Sequence, residues 1–540
     1  MLAEVINEHA SSIPDAPAFY EGETVLSWSE YASRSDAMAS HLIELGLMPG
    51  ERVAVLLPDG PGVHITFLAL EKAGLVIVGL GPRAGVSEIR HLLGLTGASA
   101  LISQHSHRDL DLEALFGQWR DGGLPLRHHV IVSGELGGDD PIIENAPPVD
   151  PSLIEARRLG PDDLWLLNST SGTTGLPKCV THHQGRWHYF HELAVESGEL
   201  RGSDIFMSAL PAPFGFGIWT AHVTPALLGA PTVLMSDFTA ERMIECIEQH
   251  SVTVLAAVST QFIMLLNSEA LESHDVRSIR ALYTGGEAVP TDRAAEFEEK
   301  AGAFVLQFYG SNETGALSRT TTQDSRAARL ETAGRVIDGM QVRLFDDANR
   351  DVTESGQGQP GCRGPATSHG YYGDEEANRK LYTPDGWMLT GDIATLDTDG
   401  YLRVIGRVAD FIIRGGKNIS GPAVEECVMT HPAVGLAAAV AMPDPVFGER
   451  VCVYAELRAS TSLTLDDLIA HLAQAGVSRE IFPERLEIVD SLPRASGGKI
   501  AKQQLREDIK ARLEAESGTT EKLERTRITS PATTSCRSPQ

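Results

Sequence analysis

Residues 169–178, Ser-Thr-Ser-Gly-Thr-Thr-Gly-Leu-Pro-Lys, crowd hydroxyl side chains, two glycines and a lysine into one short span. Glycines let backbone N–H groups come close to phosphate oxygens, hydroxyls add donors, and a lysine adds positive charge. Thr170, Ser171, Gly172, Thr173, Thr174, Gly175 and Lys178 therefore read as a phosphate cradle. The spacing is not that of a Walker A loop, whose G-x-x-x-x-G-K-[ST] order is absent. On composition alone, a flexible surface loop also fits. At 309–315, Tyr-Gly-Ser-Asn-Glu-Thr-Gly follows the apolar run Phe304-Val305-Leu306. An aromatic ring beside a glycine turn can stack on a nucleobase, and a carboxylate can hold Mg²⁺ through oxygen. The plain alternative is a turn with an accidental acid. Asp392, in Thr390-Gly391-Asp392, stands at the end of a strand-like run, where a carboxylate can accept both hydroxyls of a ribose. Lys499 follows Ala495-Ser496-Gly497-Gly498, small residues that leave one ammonium an unobstructed approach. Taken alone, such a lysine is an ordinary solvated charge.

The elements that must position these residues change in texture along the chain. In the first part, short apolar runs at 54–57, 75–80, 130–133, 165–168, 232–235, 253–257 and 281–284 alternate with helical patterns such as 63–72. Buried strands spaced by helices predict α/β layers with largely parallel sheets. After about Ala333 the strands at 342–347, 387–389 and 401–405 are separated by Asp/Gly turns, predicting a β-rich subdomain. From about Asp410 a compact α+β segment begins, with strands near 437–441 and 452–457, a helix at 465–475 and a last helix from Gln503 to about Glu516. Residues 517–540 lack an apolar period, and their composition predicts disorder.

Composition narrows the function classes. The 540 residues exceed one ordinary core, so two or more domains are expected. The formal charge of −28 argues against nonspecific binding to nucleic acid or an anionic membrane. Any polyanionic ligand must then be met by local donors. No run of apolar residues is long enough for a transmembrane helix, and no secretory signal is visible. The six cysteines are scattered without a C-x-x-C pair, as expected of reduced thiols in a cytoplasmic protein.

Six motifs occur in order: STSGTTGLPK (169–178), YTGGEAV (283–289), YGSNETG (309–315), WMLTGD (387–392), GRVADFIIRGGKNIS (406–420) and PRASGGKIAK (493–502). In this the chain resembles the acyl-adenylate-forming superfamily of acyl-CoA and aryl-CoA ligases, nonribosomal peptide adenylation domains and beetle luciferases. The resemblance implies ATP, Mg²⁺ and coenzyme A as cofactors and a carboxylic acid as substrate. It makes Lys499 the residue bridging the substrate carboxylate and the α-phosphate. It makes Glu313, with Thr170, the metal ligand, Tyr309 the adenine partner within Tyr309-Gly310-Ser311, and Thr314 an α-phosphate donor. Gly285, Gly286 and Glu287 become adenine wall and acyl pocket, Asp392 the ribose acceptor, and Arg407 a ribose or phosphate contact. Arg414, Gly415, Gly416 and Lys417 resemble the loop that receives the pantetheine arm; their plain alternative is a basic turn.

The resemblance also implies an arrangement. A large N-terminal α/β domain (1–406, its β-rich subdomain about 333–406) is followed by a hinge (407–410), a small mobile α+β lid (411–516) and the tail. Relatives carry a charged pivot two places after the arginine matching Arg407; here Ala409 stands there, with Asp410 next. Phe214 falls where many relatives have histidine, so the gate is apolar. With Gly215, Ser259 and Phe262 it predicts a pocket for an aromatic, alicyclic or medium-chain acid, and core packing is the plain alternative. The leading expectation is an acid–CoA ligase. A stand-alone adenylation enzyme loading a carrier protein, and a catalytically silent binding protein of the same fold, remain open.

Overall fold

The structure, a computed structural model, describes residues 1–134, 136–148, 150–169, 177–495 and 498–528, with the side chains of Ala409 and of residues beyond Glu516 left aside. The chain divides into two compact units. One comprises Met1–Ala409 together with Arg494–Lys499, the other Asp410–Pro493 with Ile500–Gln540. The Lys499 segment, expected within the small domain, thus packs with the large one.

Among the described residues, the first unit holds a six-stranded sheet ordered Cys179–His182, Leu166–Ser169, Val76–Gly79, Arg52–Leu56, Ala100–Ser103, His128–Ile131. Its pairings are parallel except that of Cys179–His182 with Leu166–Ser169, which sets Ser169 opposite Cys179. The segment between those two strands is the predicted phosphate loop. A nine-stranded sheet carries the parallel run Phe206–Ser208, Val254–Ala256, Ala281–Thr284, Phe304–Ser311, with antiparallel strands beyond. Val, Ile, Leu and Ala fill these strands because both sheet faces are covered. The connecting helices start on sequence-legible caps. Ser27 and Glu30 form a capping box on Trp28–Glu44, and the Thr239 side chain caps Ala240–His250. Trp28, Trp165, Trp219 and Tyr283 lie fully buried in the largest core cluster.

The predicted β-rich subdomain is a sheet ordered Gln341–Phe345, Gln357–Arg363, Asp392–Leu396, Leu402–Arg407, with Met388–Leu389 paired to Gln357–Arg363. Arg335–Val336, inside the predicted bounds, belongs instead to the nine-stranded sheet. Asp392 opens its strand rather than ending the preceding one, because Thr390-Gly391 turns the chain between them.

In the second unit, Lys417–Ser420, Phe411–Arg414, Gly448–Leu457 and Val434–Asp444 lie side by side, with Arg485–Ile488 parallel to Gly448–Leu457. Helix Leu465–Gln474 falls where the sequence placed it, N-capped by Thr464. The last helix runs from Lys502 to Ile528, past the expected end near Glu516. Glu521, Lys522, Leu523, Glu524 and Arg525 are strong helix formers, so propensity extends a helix that has no apolar stripe there. Among the described residues, no helix is long and apolar enough to cross a membrane.

Candidate active site

Parallel strands bring their carboxyl ends to one edge, where α/β sheets offer ligand crevices. From that edge, Ala281–Thr284 delivers Gly285-Gly286-Glu287, and Phe304–Ser311 delivers Tyr309, Gly310 and Ser311. A register shift at Tyr309/Gly310 bends the latter strand against Gly315–Arg319. The next turn is closed on itself: Ser311 N–H donates to Thr314 Oγ1 at 2.9 Å, and Thr314 N–H donates to Ser311 Oγ at 3.2 Å. Thr314 is fully buried, its hydroxyl engaged in that turn. Glu313 lies within this turn, half-buried, between Asn312 and Thr314.

Three groups of predicted residues assemble. In the first, Tyr371 Oη donates to Glu313 Oε1 at 2.8 Å, while Lys178 Nζ lies 4.8 Å from the centre of the Tyr371 ring. One tyrosine therefore links the end of the phosphate loop to the candidate metal ligand. In the second, Tyr309 Oη donates to Asp392 Oδ2 at 2.8 Å and Arg407 Nε donates to Asp392 Oδ1 at 3.2 Å. Asp392 and Arg407 are register partners on adjacent strands. Burial raises the Asp392 pKa above the ordinary carboxylate value, although Arg407 and Tyr309 oppose this. Burial likewise pushes the Tyr309 phenol well above its usual value. In the third, Thr260 donates to Glu287 Oε2 from its N–H at 3.2 Å and from Oγ1 at 3.1 Å.

Lys499 stands among all three. Ala495 N–H donates to Lys499 O at 2.8 Å and Gly498 N–H to Ala495 O at 2.9 Å, bonds that tie Lys499 and Gly498 to Ala495. Gly286 has φ +75°, and a Cβ there would lie 2.8 Å from Lys499 Nζ, so a side chain would occupy the ammonium's position. Burial, aided by Arg407, lowers the Lys499 pKa; Glu287, Asp392 and Glu313 pull it back up. One ammonium thus lies within electrostatic reach of every carboxylate that the sequence assigned to nucleotide, metal or acid.

Other predicted residues fall differently. Thr170, Ser171, Gly172, Thr173, Thr174 and Gly175 lie outside the described residues, bracketed by Ser169 and Lys178. Phe214 is buried, and a Cβ on Gly215 would meet Asn312 Oδ1 at 3.3 Å. Ser259 is buried with its hydroxyl unpartnered. The Phe262 ring is fully buried edge-on to Phe297, 5.9 Å between centres, in the packing between their helices. Phe216 comes nearer the site, 3.6 Å from where a Gly285 Cβ would stand.

Arg414, Gly415, Gly416 and Lys417 form the tip of a hairpin in the second unit. Gly415 (φ +58°) and Gly416 (φ +83°) make the two-residue turn that suits right-twisted strands. Arg414 pairs with Glu484 and donates to the Phe482 carbonyl at 3.3 Å, and Lys417 pairs with Glu480. Both cations expected to offset CoA phosphates thus meet carboxylates.

Sequence reasoning passed over Tyr371, whose one cue is the glycine-flanked Gly370-Tyr371-Tyr372-Gly373. It also passed over Arg186, 5% exposed, which donates to Asn312 O and Ala366 O at 2.9 Å each on either side of the Glu313 turn. No local pattern marks Arg186.

A family model described as AMP-binding enzyme matches residues 6–372, and one described as AMP-binding enzyme C-terminal domain matches residues 423–499. The chain is 30% identical over 533 residues to a medium-chain fatty-acid–CoA ligase of Escherichia coli (strain K12), covering 95% of this chain and 91% of that protein. It is 32% identical over 498 residues to a feruloyl-CoA synthase of Amycolatopsis sp, covering 91% and 96%. Among solved structures, that of an anthranilate CoA ligase in complex with anthranoyl-AMP shares the fold with a TM-score of 0.84 at 23% identity, over 94% of this chain and 97% of that one.

Proposed function

The chain belongs to the AMP-binding enzyme family, and on that premise we propose that it is an acid–CoA ligase, activating a carboxylic acid with ATP as the acyl-AMP and passing the acyl group to coenzyme A. The observation that carries this reading is the Lys499 ammonium, held within electrostatic reach of Glu313, Asp392 and Glu287.

The chemistry needs no nucleophilic side chain. An oxygen of the substrate carboxylate attacks the α-phosphorus, pyrophosphate leaves, and the CoA thiol then attacks the acyl carbonyl as AMP leaves. The protein's work is alignment and charge. Asp392 accepts the ribose hydroxyls, its own orientation fixed by Tyr309 and Arg407. Lys499 meets the substrate carboxylate and the α-phosphate together. Lys178 and the hydroxyls between it and Ser169 meet the leaving phosphates.

The residues present fit a magnesium ion of the kind that travels with ATP. Tyr371 donates to Glu313 Oε1, and the Glu313 carboxylate would offer such an ion an oxygen ligand. Among the described residues no group of three or more His, Cys, Asp or Glu could hold a metal, and Mg²⁺ bound by one carboxylate plus substrate phosphates and water needs none. When bound, the ion supplies positive charge against the phosphate oxygens. Glu313, with Thr170, would hold it.

The acid is apolar in its body. Phe216 stands 3.6 Å from where a Gly285 Cβ would lie, and Glu287, the carboxylate among the predicted pocket residues, is engaged by the N–H and hydroxyl of Thr260. Aromatic, alicyclic and medium-chain acids fit. For the second step we place a pivot at 407–410, where the chain leaves the first unit between Ala409 and Asp410. Acid-dependent ATP–pyrophosphate exchange across a panel of such acids tests the first half-reaction; silence with every acid would sink the reading. Offering CoA beside a phosphopantetheinylated carrier protein then identifies the acceptor.

A further inference from the structure

We propose that Asn168, His182 and Arg186 are positioning residues that tie the loop at Pro213, on the acid side, and the turn bearing Glu313 to one buried support. This rests on the functional reading of Phe214 and Glu313 given above.

The polarity of the array is set by its ends. A guanidinium only donates. Arg186 Nε donates to Ala366 O and Nη2 to Asn312 O, each at 2.9 Å, and Nη1 lies 3.2 Å from His182 Nδ1 and 3.5 Å from Thr181 O. His182 Nδ1 is therefore an acceptor, and the ring carries its hydrogen on Nε2, 2.8 Å from Asn168 Oδ1. With its carbonyl taken, the Asn168 amide donates through Nδ2 to Pro213 O at 3.3 Å. Each bond dictates the direction of the next. Burial, reinforced by Arg186, holds His182 well below the usual imidazole pKa, in keeping with a neutral ring.

The array reaches three limbs of the site. Asn168 immediately precedes Ser169, the root of the phosphate loop. His182 ends the strand that returns from that loop, and Arg186 lies in the first turn of Gln184–Gly198. Pro213 immediately precedes Phe214, and its neighbour Ala212 donates its N–H to Asp59 Oδ1 at 3.0 Å from the opposite side. Arg186 donates to the Asn312 carbonyl just before Glu313, and Ser368 N–H donates to the carbonyl of Glu313 itself at 2.8 Å. Asn168, His182 and Arg186 are 0%, 1% and 5% exposed. Burial lowers the Arg186 pKa to about 10, so the guanidinium stays charged while bonded to neutral acceptors. That is a costly way to fill space; what it supplies is direction, from a rigid planar fork of donors. None of the three is placed against substrate, so the role is positioning.

The test uses the full chain, with acid and MgATP varied independently in the pyrophosphate-exchange assay. Calorimetric binding of MgATP without acid and the melting temperature are recorded beside it. Wild-type activity tests the functional reading; only the variants test this proposal. Asn168→Leu, matched in shape but without a donor, is expected to raise the acid KM about tenfold while leaving MgATP affinity nearly unchanged. His182→Leu should weaken both acid and MgATP, and His182→Gln, keeping one donor and one acceptor, should recover most of each. A lowered melting point with both affinities intact, or His182→Leu weakening one ligand only, overturns the proposal. Should His182→Leu fail to fold, a double-mutant cycle of Asn168→Leu with Arg186→Lys decides. Effects on the acid KM that depart from their product by more than about threefold support coupling, and a simple product refutes it.

Discussion

An ammonium whose pKa is drawn down by burial and by Arg407, and drawn back by Glu287, Asp392 and Glu313, is poised to gain the most when a negatively charged phosphate arrives beside it. Lys499 should therefore matter while charge builds on the α-phosphate and little once the acyl-AMP exists. Lys499→Ala is expected to slow acyl-AMP formation roughly 10²–10³-fold, the typical loss for one preorganised donor. Thioester formation from presynthesised acyl-AMP should survive, and equal loss in the two half-reactions measured separately would remove Lys499 from this role. Asp392 yields a prediction in pH. Its folded pKa is already above the ordinary carboxylate value, and the Tyr309 hydroxyl at 2.8 Å is one of the groups holding it down. Ribose recognition needs the ionised form, so activity toward ATP falls as pH drops through that pKa. Tyr309→Phe removes the donor, raises the Asp392 pKa further and moves the acid limb of kcat/KM for ATP to higher pH; an unmoved limb contradicts the assignment. These residues were legible because motif neighbours carry their chemistry locally, as a hydroxyl, a carboxylate or an ammonium beside glycine. Their partners were not. Tyr371 meets Glu313 across 58 residues, and nothing in either neighbourhood announces the contact.

A strand or a turn can be read from its own residues, whereas what a hairpin leans on cannot. The tip Arg414-Gly415-Gly416-Lys417 has the two glycines a tight hairpin turn requires, and the strands Phe411–Arg414 and Lys417–Ser420 pair accordingly. Its two cations looked available for CoA phosphates. Arg414, however, pairs with Glu484 and donates to the carbonyls of Phe482 and Glu480, residues near 70 positions away in the chain. Partly buried, Arg414 works as a clamp between the hairpin and the segment before Arg485–Ile488. Arg414→Ala is expected to destabilise the second unit by about 1.5–3 kcal/mol, the range for charge-assisted hydrogen bonds. The exposed Lys417 pairs with Glu480 in solvent, where such a contact contributes little, so Lys417→Ala should leave stability unchanged. Denaturant titration of both variants distinguishes them; a stable Arg414→Ala protein with a greatly raised KM for CoA would restore the residue to ligand binding. The last helix shows the opposite limit of reading elements. Its apolar period stops near Glu516, yet helix formers carry the backbone on to Ile528.

At the scale of the whole chain, alternating strand and helix patterns were enough to anticipate layered α/β sheets, a β-rich subdomain and a small α+β unit, since burial on both faces writes itself into composition. The placement of Arg494–Lys499 with the large unit was not, because packing between segments distant in sequence leaves no periodic trace. Nor did the sequence reveal that Asp59, in what reads as a simple Pro-Asp-Gly turn, is buried at 5% exposure with its carboxyl accepting from Ala212 N–H. Burial pushes its pKa up to about 7, with Glu21 adding to the shift. His64 Nε2 stands 4.0 Å away, but burial keeps that imidazole well below its usual pKa and so uncharged. The sign of the consequence is fixed by linkage. In the folded protein the proton is held to about pH 7, whereas the unfolded chain releases it near the ordinary value of 3.8. Between those values the folded state binds more protons, so stability is fully present below the lower one and declines as pH rises to the upper. A shift of this size corresponds to on the order of 4 kcal/mol. Overall stability will not display it cleanly, because self-repulsion among charges summing to −28 also varies with pH. Asp59→Asn isolates it. The variant keeps an acceptor for Ala212, offers its new N–H groups to Glu21, and differs from the parent by one charge, so the global repulsion nearly cancels in the comparison. Its melting temperature should match the parent's near pH 4, rise above it through pH 5 and 6, and keep a constant lead of several degrees above about pH 8. A difference independent of pH would show that Asp59 is ionised in the fold throughout, with a charged partner in place of its proton.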